Sequence, residues 1–139
     1  MTGQERGEAA SWFDGRVRLL SLDRHVDPRG ALLPVEFERL PFLPQRLFTV
    51  SGMAAGTERG GHAHRKGQQI LLCLQGLLDL CLRVGEEQVQ VTLRPDGPGL
   101  LVGAMVWCRQ TYVTEGTVLL VLASEPYDPE SYIEGWEGA

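Results

Sequence analysis

The chain has 139 residues, 43% of them hydrophobic and 22% charged, a balance that excludes a disordered or fibrous polymer and points to one globular domain over residues 1–139. Thirteen basic and 18 acidic side chains give a formal charge of -5, which argues against nonspecific attraction to nucleic acid or an anionic membrane. Cys73, Cys81 and Cys108 have no CxxC spacing and fit free thiols in a reducing compartment; with no apolar run of membrane-span length, the expected location is the cytoplasm.

In chain order, the first eleven residues read as a loose tail. From Val17 onward short apolar runs alternate with turn residues, and no long segment carries a helical period. Strands are expected at Val17–Leu22, Ala31–Glu38, Arg46–Met53, Gln68–Leu74, Leu77–Val84, Gln88–Leu93, Met105–Val113 and Thr117–Ser124. The breaks between them, such as Asp27-Pro28-Arg29-Gly30 and Thr114-Glu115-Gly116, hold residues that turn a chain at low cost. Val89, Val91 and Leu93 alternate with Gln88, Gln90 and Thr92, and Leu78, Leu80 and Leu82 alternate with Asp79, Cys81 and Arg83. Strands with one apolar face each pack as two antiparallel sheets. Asp128-Pro129-Glu130 reads as a helix start, so a short C-terminal helix from Pro129 to about Trp136 is expected.

The segment Gly56-Thr57-Glu58-Arg59-Gly60-Gly61-His62-Ala63-His64 carries the chemistry. On an extended chain residues two apart share a face, so His62 and His64 project together. Two imidazoles with ordinary pKa values near about 6.5 can each take or give a proton at neutral pH. Glycine at 56, the H-x-H pair, Gln69 and Gly76 fall at the spacing of the first cupin motif, which this segment resembles. Glutamine replaces the carboxylate that metal-binding members place there, which weakens a metal-dependent reading. Cys108 lies near the last ligand position of the second motif, so zinc held by His62, His64 and a thiolate stays an alternative.

A wider set of residues narrows the resemblance. Asp27-Pro28-Arg29-Gly30, Pro41-Phe42, Arg46, Arg59-Gly60-Gly61-His62-Ala63-His64, Gln69, Cys73-Leu74-Gln75-Gly76, Val106-Trp107, Leu122-Ala123-Ser124 and Tyr127 together resemble the dTDP-4-keto-6-deoxyglucose 3,4-ketoisomerases, the WxcM-like sugar-nucleotide cupins. The resemblance implies an all-β cupin-type jelly roll that is homodimeric, needs no metal or other cofactor, and converts a dTDP-linked 4-keto-6-deoxy sugar to its 3-keto isomer. It implies acid and base duties for His62 and His64. Arg59, Arg46 and Arg29 are the candidate pyrophosphate ligands, because a guanidinium fork matches phosphate oxygens. Gln69 and Trp107 are further candidate substrate contacts. Two departures stand out: Phe48-Thr49 follows Arg46-Leu47 where relatives carry tyrosine, and Cys108 follows Trp107 where relatives often carry histidine. A noncatalytic sugar-nucleotide-binding cupin is therefore the alternative from another functional class.

Overall fold

In a computed structural model, which describes residues 10–134, the chain is built from thirteen short strands and two single 3₁₀ turns. The strands are β1 (Ser11–Trp12), β2 (Val17–Leu20), β3 (His25–Asp27), β4 (Gly30–Leu32), β5 (Arg46–Val50), β6 (Thr57–His64), β7 (Gln69–Gln75), β8 (Leu78–Val84), β9 (Glu87–Leu93), β10 (Gly99–Val102), β11 (Trp107–Tyr112), β12 (Val118–Ala123) and β13 (Tyr132–Glu134). A six-stranded sheet in the order β1-β2-β10-β7-β12-β5 faces a five-stranded sheet in the order β13-β6-β11-β8-β9. Every pairing within them is antiparallel. This is the expected all-β sandwich, with β3 and β4 forming a separate hairpin.

The core between the sheets follows from strand alternation. Leu78, Leu80 and Leu82 of β8 and Val91 and Leu93 of β9 meet Leu71, Leu100, Leu119 and Val121 from the opposite sheet. The outer face of the six-stranded sheet is also apolar: Ile70, Leu72, Leu101 and Leu122 are buried beneath Leu22, Val35, Leu40 and Phe42. Strand β10 is thus covered on both sides, and all four of its residues are buried. Its unbroken Gly-Leu-Leu-Val run has no alternation to mark it as a strand in the sequence.

Four expectations require correction. Residues 31–38 do not form one strand: β4 ends at Leu32, and Phe37–Arg39 make a 3₁₀ turn. Pro34, which has no N–H to give a ladder, lies between the two. The C-terminal helix is replaced by one 3₁₀ turn, Pro129–Ser131, and then β13. Asp128 does cap that turn, accepting from the Glu130 amide, but the chain next pairs along β6 and buries Ile133 between Tyr132 and Glu134. The last two residues of the expected helix, 135 and 136, lie outside the described residues. At the other end, residues 1–9 of the expected tail also lie outside them, whereas Ser11 pairs with Arg18 in the six-stranded sheet. Finally, residues 57–64, which lie outside the expected strands, form the eight-residue strand β6. No helix among the described residues is long and apolar enough to cross a membrane.

Candidate active site

The site opens where edge strand β5 of one sheet faces β6 of the other, in a cleft of about 510 Å³. Arg46, Phe48, Arg59, His62, His64, Gln69, Gln110 and Tyr132 line it. Gln69 and Arg46 both pair in register with Ala123 on β12, which sets them on one rung at the same end of the six-stranded sheet. Tyr132 pairs with His64 and Glu134 with His62, so β13 walls the histidines along the free edge of β6.

A β-bulge decides what β6 presents to the cleft. His62 is opposite Cys108 and Gly60 is opposite Arg109, leaving Gly61 as the extra residue. Strict alternation would put Arg59 and His62, three apart, on opposite faces. The extra residue restores the phase, and both side chains enter the same cleft. Gly60 and Gly61 take φ of +85° and +84°, a conformation costly for residues with a Cβ. A Cβ at Gly60 would also sit 3.0 Å from the Cys108 carbonyl oxygen. The glycine pair is thus what this bulge requires.

The imidazole centroids lie 5.4 Å apart with the rings nearly perpendicular. Tyr132 packs against both, at 4.6 Å from His62 and 4.5 Å from His64. Burial lowers the pKa of both rings below the usual histidine value. His64 falls to about 4, because burial is joined by repulsion from His62 and from the Arg46 guanidinium. His62 is lowered by burial against a counter-pull from the Glu134 carboxylate. Both are neutral at physiological pH. His64 Nε2 lies 3.4 Å from the Gln69 amide nitrogen, which makes it the acceptor of a long N–H bond when the amide donates.

Arg46 sits between two aromatic faces, 4.5 Å from the Phe48 centroid and 5.0 Å from that of Tyr127. Phe48, where a tyrosine was expected, therefore serves as a platform for this arginine. Cys108 occupies the rung of His62 and packs against the core. Burial pushes its thiol pKa up to about 12. Among the described residues no three His, Cys, Asp or Glu side chains form a metal-binding group.

Of the residues singled out in the sequence, the structure brings His62, His64, Arg46, Arg59 and Gln69 to one cleft. It does not bring Trp107 or Arg29 there. Trp107 neighbours Cys108 on β11 and so faces the other way, packed with Ala63, Cys81 and Ile133 beneath the Arg83 and Arg109 guanidinium groups. Arg29 is exposed on the β3–β4 hairpin and pairs with Asp27 at 2.7 Å. Sequence reasoning missed Tyr132, hidden by the helix-like Asp128-Pro129 start, and Gln110, whose only signal is a polar residue alternating between Cys108 and Tyr112.

The family model described as FdtA: WxcM-like, C-terminal, matches residues 15–137. The chain belongs to this family. It is 31% identical over 121 residues, covering 86% of this chain and 87% of the relative, to the TDP-4-oxo-6-deoxy-alpha-D-glucose-3,4-oxoisomerase of Aneurinibacillus thermoaerophilus. The crystal structure of QdtA, a sugar 3,4-ketoisomerase from Thermoanaerobacterium thermosaccharolyticum in complex with TDP, aligns with a TM-score of 0.83 at 35% identity, over 88% of this chain and 90% of that one. The WlaRB TDP-quinovose 3,4-ketoisomerase of Campylobacter jejuni aligns with a TM-score of 0.81 at 30% identity, over 87% and 94%. The RmlC epimerase of Mycobacterium tuberculosis, at 14% identity and a TM-score of 0.76, shares the fold.

Proposed function

We propose that this protein is a dTDP-sugar 3,4-ketoisomerase, converting dTDP-4-keto-6-deoxyglucose to a dTDP-3-keto-6-deoxyhexose through an enediolate. The observation that carries this reading is the pair of neutral imidazoles 5.4 Å apart, facing a cleft with two arginines. Close relatives in both comparisons are 3,4-ketoisomerases acting on TDP-linked sugars.

The reaction moves two protons and no electrons leave the sugar. A base removes the C3 proton while the C4 carbonyl takes up the electron pair as an enediolate. Carbon 4 is then protonated, and the O3 proton passes to O4. His62 is the better carbon base, because Glu134 opposes the burial that lowers its pKa. His64, with a pKa of about 4, is neutral and returns a proton readily, which suits a shuttle between O3 and O4. Arg59 offers its guanidinium group to the diphosphate, Arg46 stands at the sugar end on the Gln69 rung beside His64, and Gln69 holds His64. None of these steps calls for a metal or a redox cofactor.

The acting unit is a homodimer in this reading. Val26 and Leu32 are 72% and 65% exposed on the β3–β4 hairpin, and an isolated two-stranded hairpin is marginally stable in water. A second copy of the chain would cover it. Light scattering that gives 15.4 kDa at all micromolar concentrations would refute the dimer.

The deciding experiment is NMR of dTDP-4-keto-6-deoxyglucose with the purified protein in deuterated water. Product should form with solvent deuterium at the exchanging carbons. His62→Asn should abolish both product and exchange; His64→Asn should block product and leave slow exchange at C3. Both variants should bind dTDP. Wild-type turnover in both would make the pair structural and remove the enzyme reading. Activity should survive chelator treatment, and stoichiometric metal that restores activity lost on chelation would overturn the metal-independent mechanism.

A further inference from the structure

We propose that Gln110 is a diphosphate-binding residue beside Arg59, and that the buried Tyr112 is a positioning residue that aims it. The inference rests on the reading of the cleft as a TDP-sugar site.

Cys108, Gln110 and Tyr112 alternate along one face of β11, while Trp107, Arg109 and Thr111 take the other. The register pairs Gln110 with Arg59 and Tyr112 with Thr57, so Arg59 and Gln110 share a rung next to the one that carries His62 and Cys108. Both line the cleft. Neighbouring same-face rungs lie about 6.5–7 Å apart, roughly the distance from a sugar ring to the phosphates attached to it.

Tyr112 is fully buried, and its hydroxyl donates to Gln110 Oε1 at 2.6 Å. Burial pushes the phenol pKa up to about 12, so it remains a donor at any working pH. A glutamine amide has one acceptor oxygen and two N–H donors. With the oxygen engaged from below, the amide is fixed with its donors left over. Among the described residues no protein acceptor takes Gln110 Nε2, and Arg59 has neither an ion pair nor a side-chain hydrogen bond. On this rung Arg59 and Gln110 offer the cleft a guanidinium fork and an oriented amide, both donors, with the Thr49 and Ser51 hydroxyls also in the lining. Acceptor-rich, anionic groups match it, and on a nucleoside-diphosphate sugar that group is the diphosphate. The opposite end, with His64, Gln69 and Tyr132, takes the sugar carbonyl region.

The test is calorimetric titration of dTDP into the full-length protein, together with steady-state kinetics. Gln110→Leu should weaken dTDP about 10-fold or more, the usual worth of a hydrogen bond to a charged group, and raise KM with kcat within about threefold of wild type. Tyr112→Phe should weaken dTDP about threefold or more in the wild-type background and have no further effect in the Gln110→Leu background. That loss of additivity is what a tyrosine acting through Gln110 requires, and a purely structural tyrosine would not produce it. Melting temperatures for each variant would verify that it folds. Wild-type dTDP affinity in Gln110→Leu would overturn the inference, and so would an equal Tyr112→Phe effect in both backgrounds. A wild-type chain that does not bind dTDP would instead refute the reading of the cleft, and the inference with it.

Discussion

The sharpest physical claim is that His64 is held neutral by the fold, and proton linkage tests it without any substrate. Its pKa falls from 6.5 to about 4, through burial first and then repulsion from His62 and Arg46. In the unfolded chain the same imidazole titrates near 6.5. Between pH 6.5 and 4 the unfolded state therefore binds a proton that the folded state refuses, and stability must fall as pH falls through that window. Above 6.5 both states are neutral and the contribution is flat; below about 4 both are charged and the loss is complete. The shift sets a ceiling of about 3 kcal/mol on that loss, and the ring's remaining contact with water reduces it to about 1–2 kcal/mol. Urea unfolding at pH 7.5 and pH 5.0 would measure it, with His64→Gln as the reference that lacks the titrating group. Wild type should lose about 1 kcal/mol more than the variant across that interval. NMR of histidine-labelled protein should show the His64 ring neutral at pH 6. Parallel losses in the two proteins, or a His64 midpoint near 6.5, would refute the claim.

Gly76 ends β7 with φ of +87°, and a Cβ there would lie 2.7 Å from Thr117 Cα and 2.9 Å from Thr114 Oγ1. Gly76→Ala should therefore cost about 2–4 kcal/mol in urea unfolding, and a loss under 1 kcal/mol would show that the Thr114–Thr117 turn gives way freely. Tyr132 packs its ring against both histidines, so Tyr132→Phe should keep kcat within about threefold while Tyr132→Ala should lower it by about 10-fold or more. An equally large loss in Tyr132→Phe would give the hydroxyl a chemical role.

Seven of the strands were legible because apolar runs and turn residues agree, as in Gln88–Leu93 against the observed β9. The strands that escaped lack one of those signals. Gly99–Val102 is buried on both faces and does not alternate, and Tyr132–Glu134 is three residues long behind a genuine helix-type cap. The His62–His64 pair was legible because an H-x-H on an extended chain can only share a face. Arg59 lines the cleft with His62 although spacing alone sets the two on opposite faces: they are three residues apart, and the Gly61 bulge makes up the difference. Trp107 shows the converse. Once Cys108 is set on the rung of His62, simple alternation sends its neighbour outward, to pack with Ala63 and Ile133.

The position of Cys108 also bears on how a departure from the family pattern fits the proposed histidine chemistry. A histidine on the rung of His62 would add a third titratable ring beside two whose charge states already oppose one another. The cysteine there packs against the core, and with its thiol pKa pushed up to about 12 it is uncharged near neutral pH. The charge state of His62 is then governed by its burial and by Glu134 across the edge of β6, and that of His64 by burial, His62 and Arg46. Both sets of influences hold the rings neutral, the state from which the proposed mechanism has one take a proton from carbon and the other pass one between oxygens. The thiol, packed against the core on the rung of His62, therefore adds no charge beside the two imidazoles that the proposed mechanism uses.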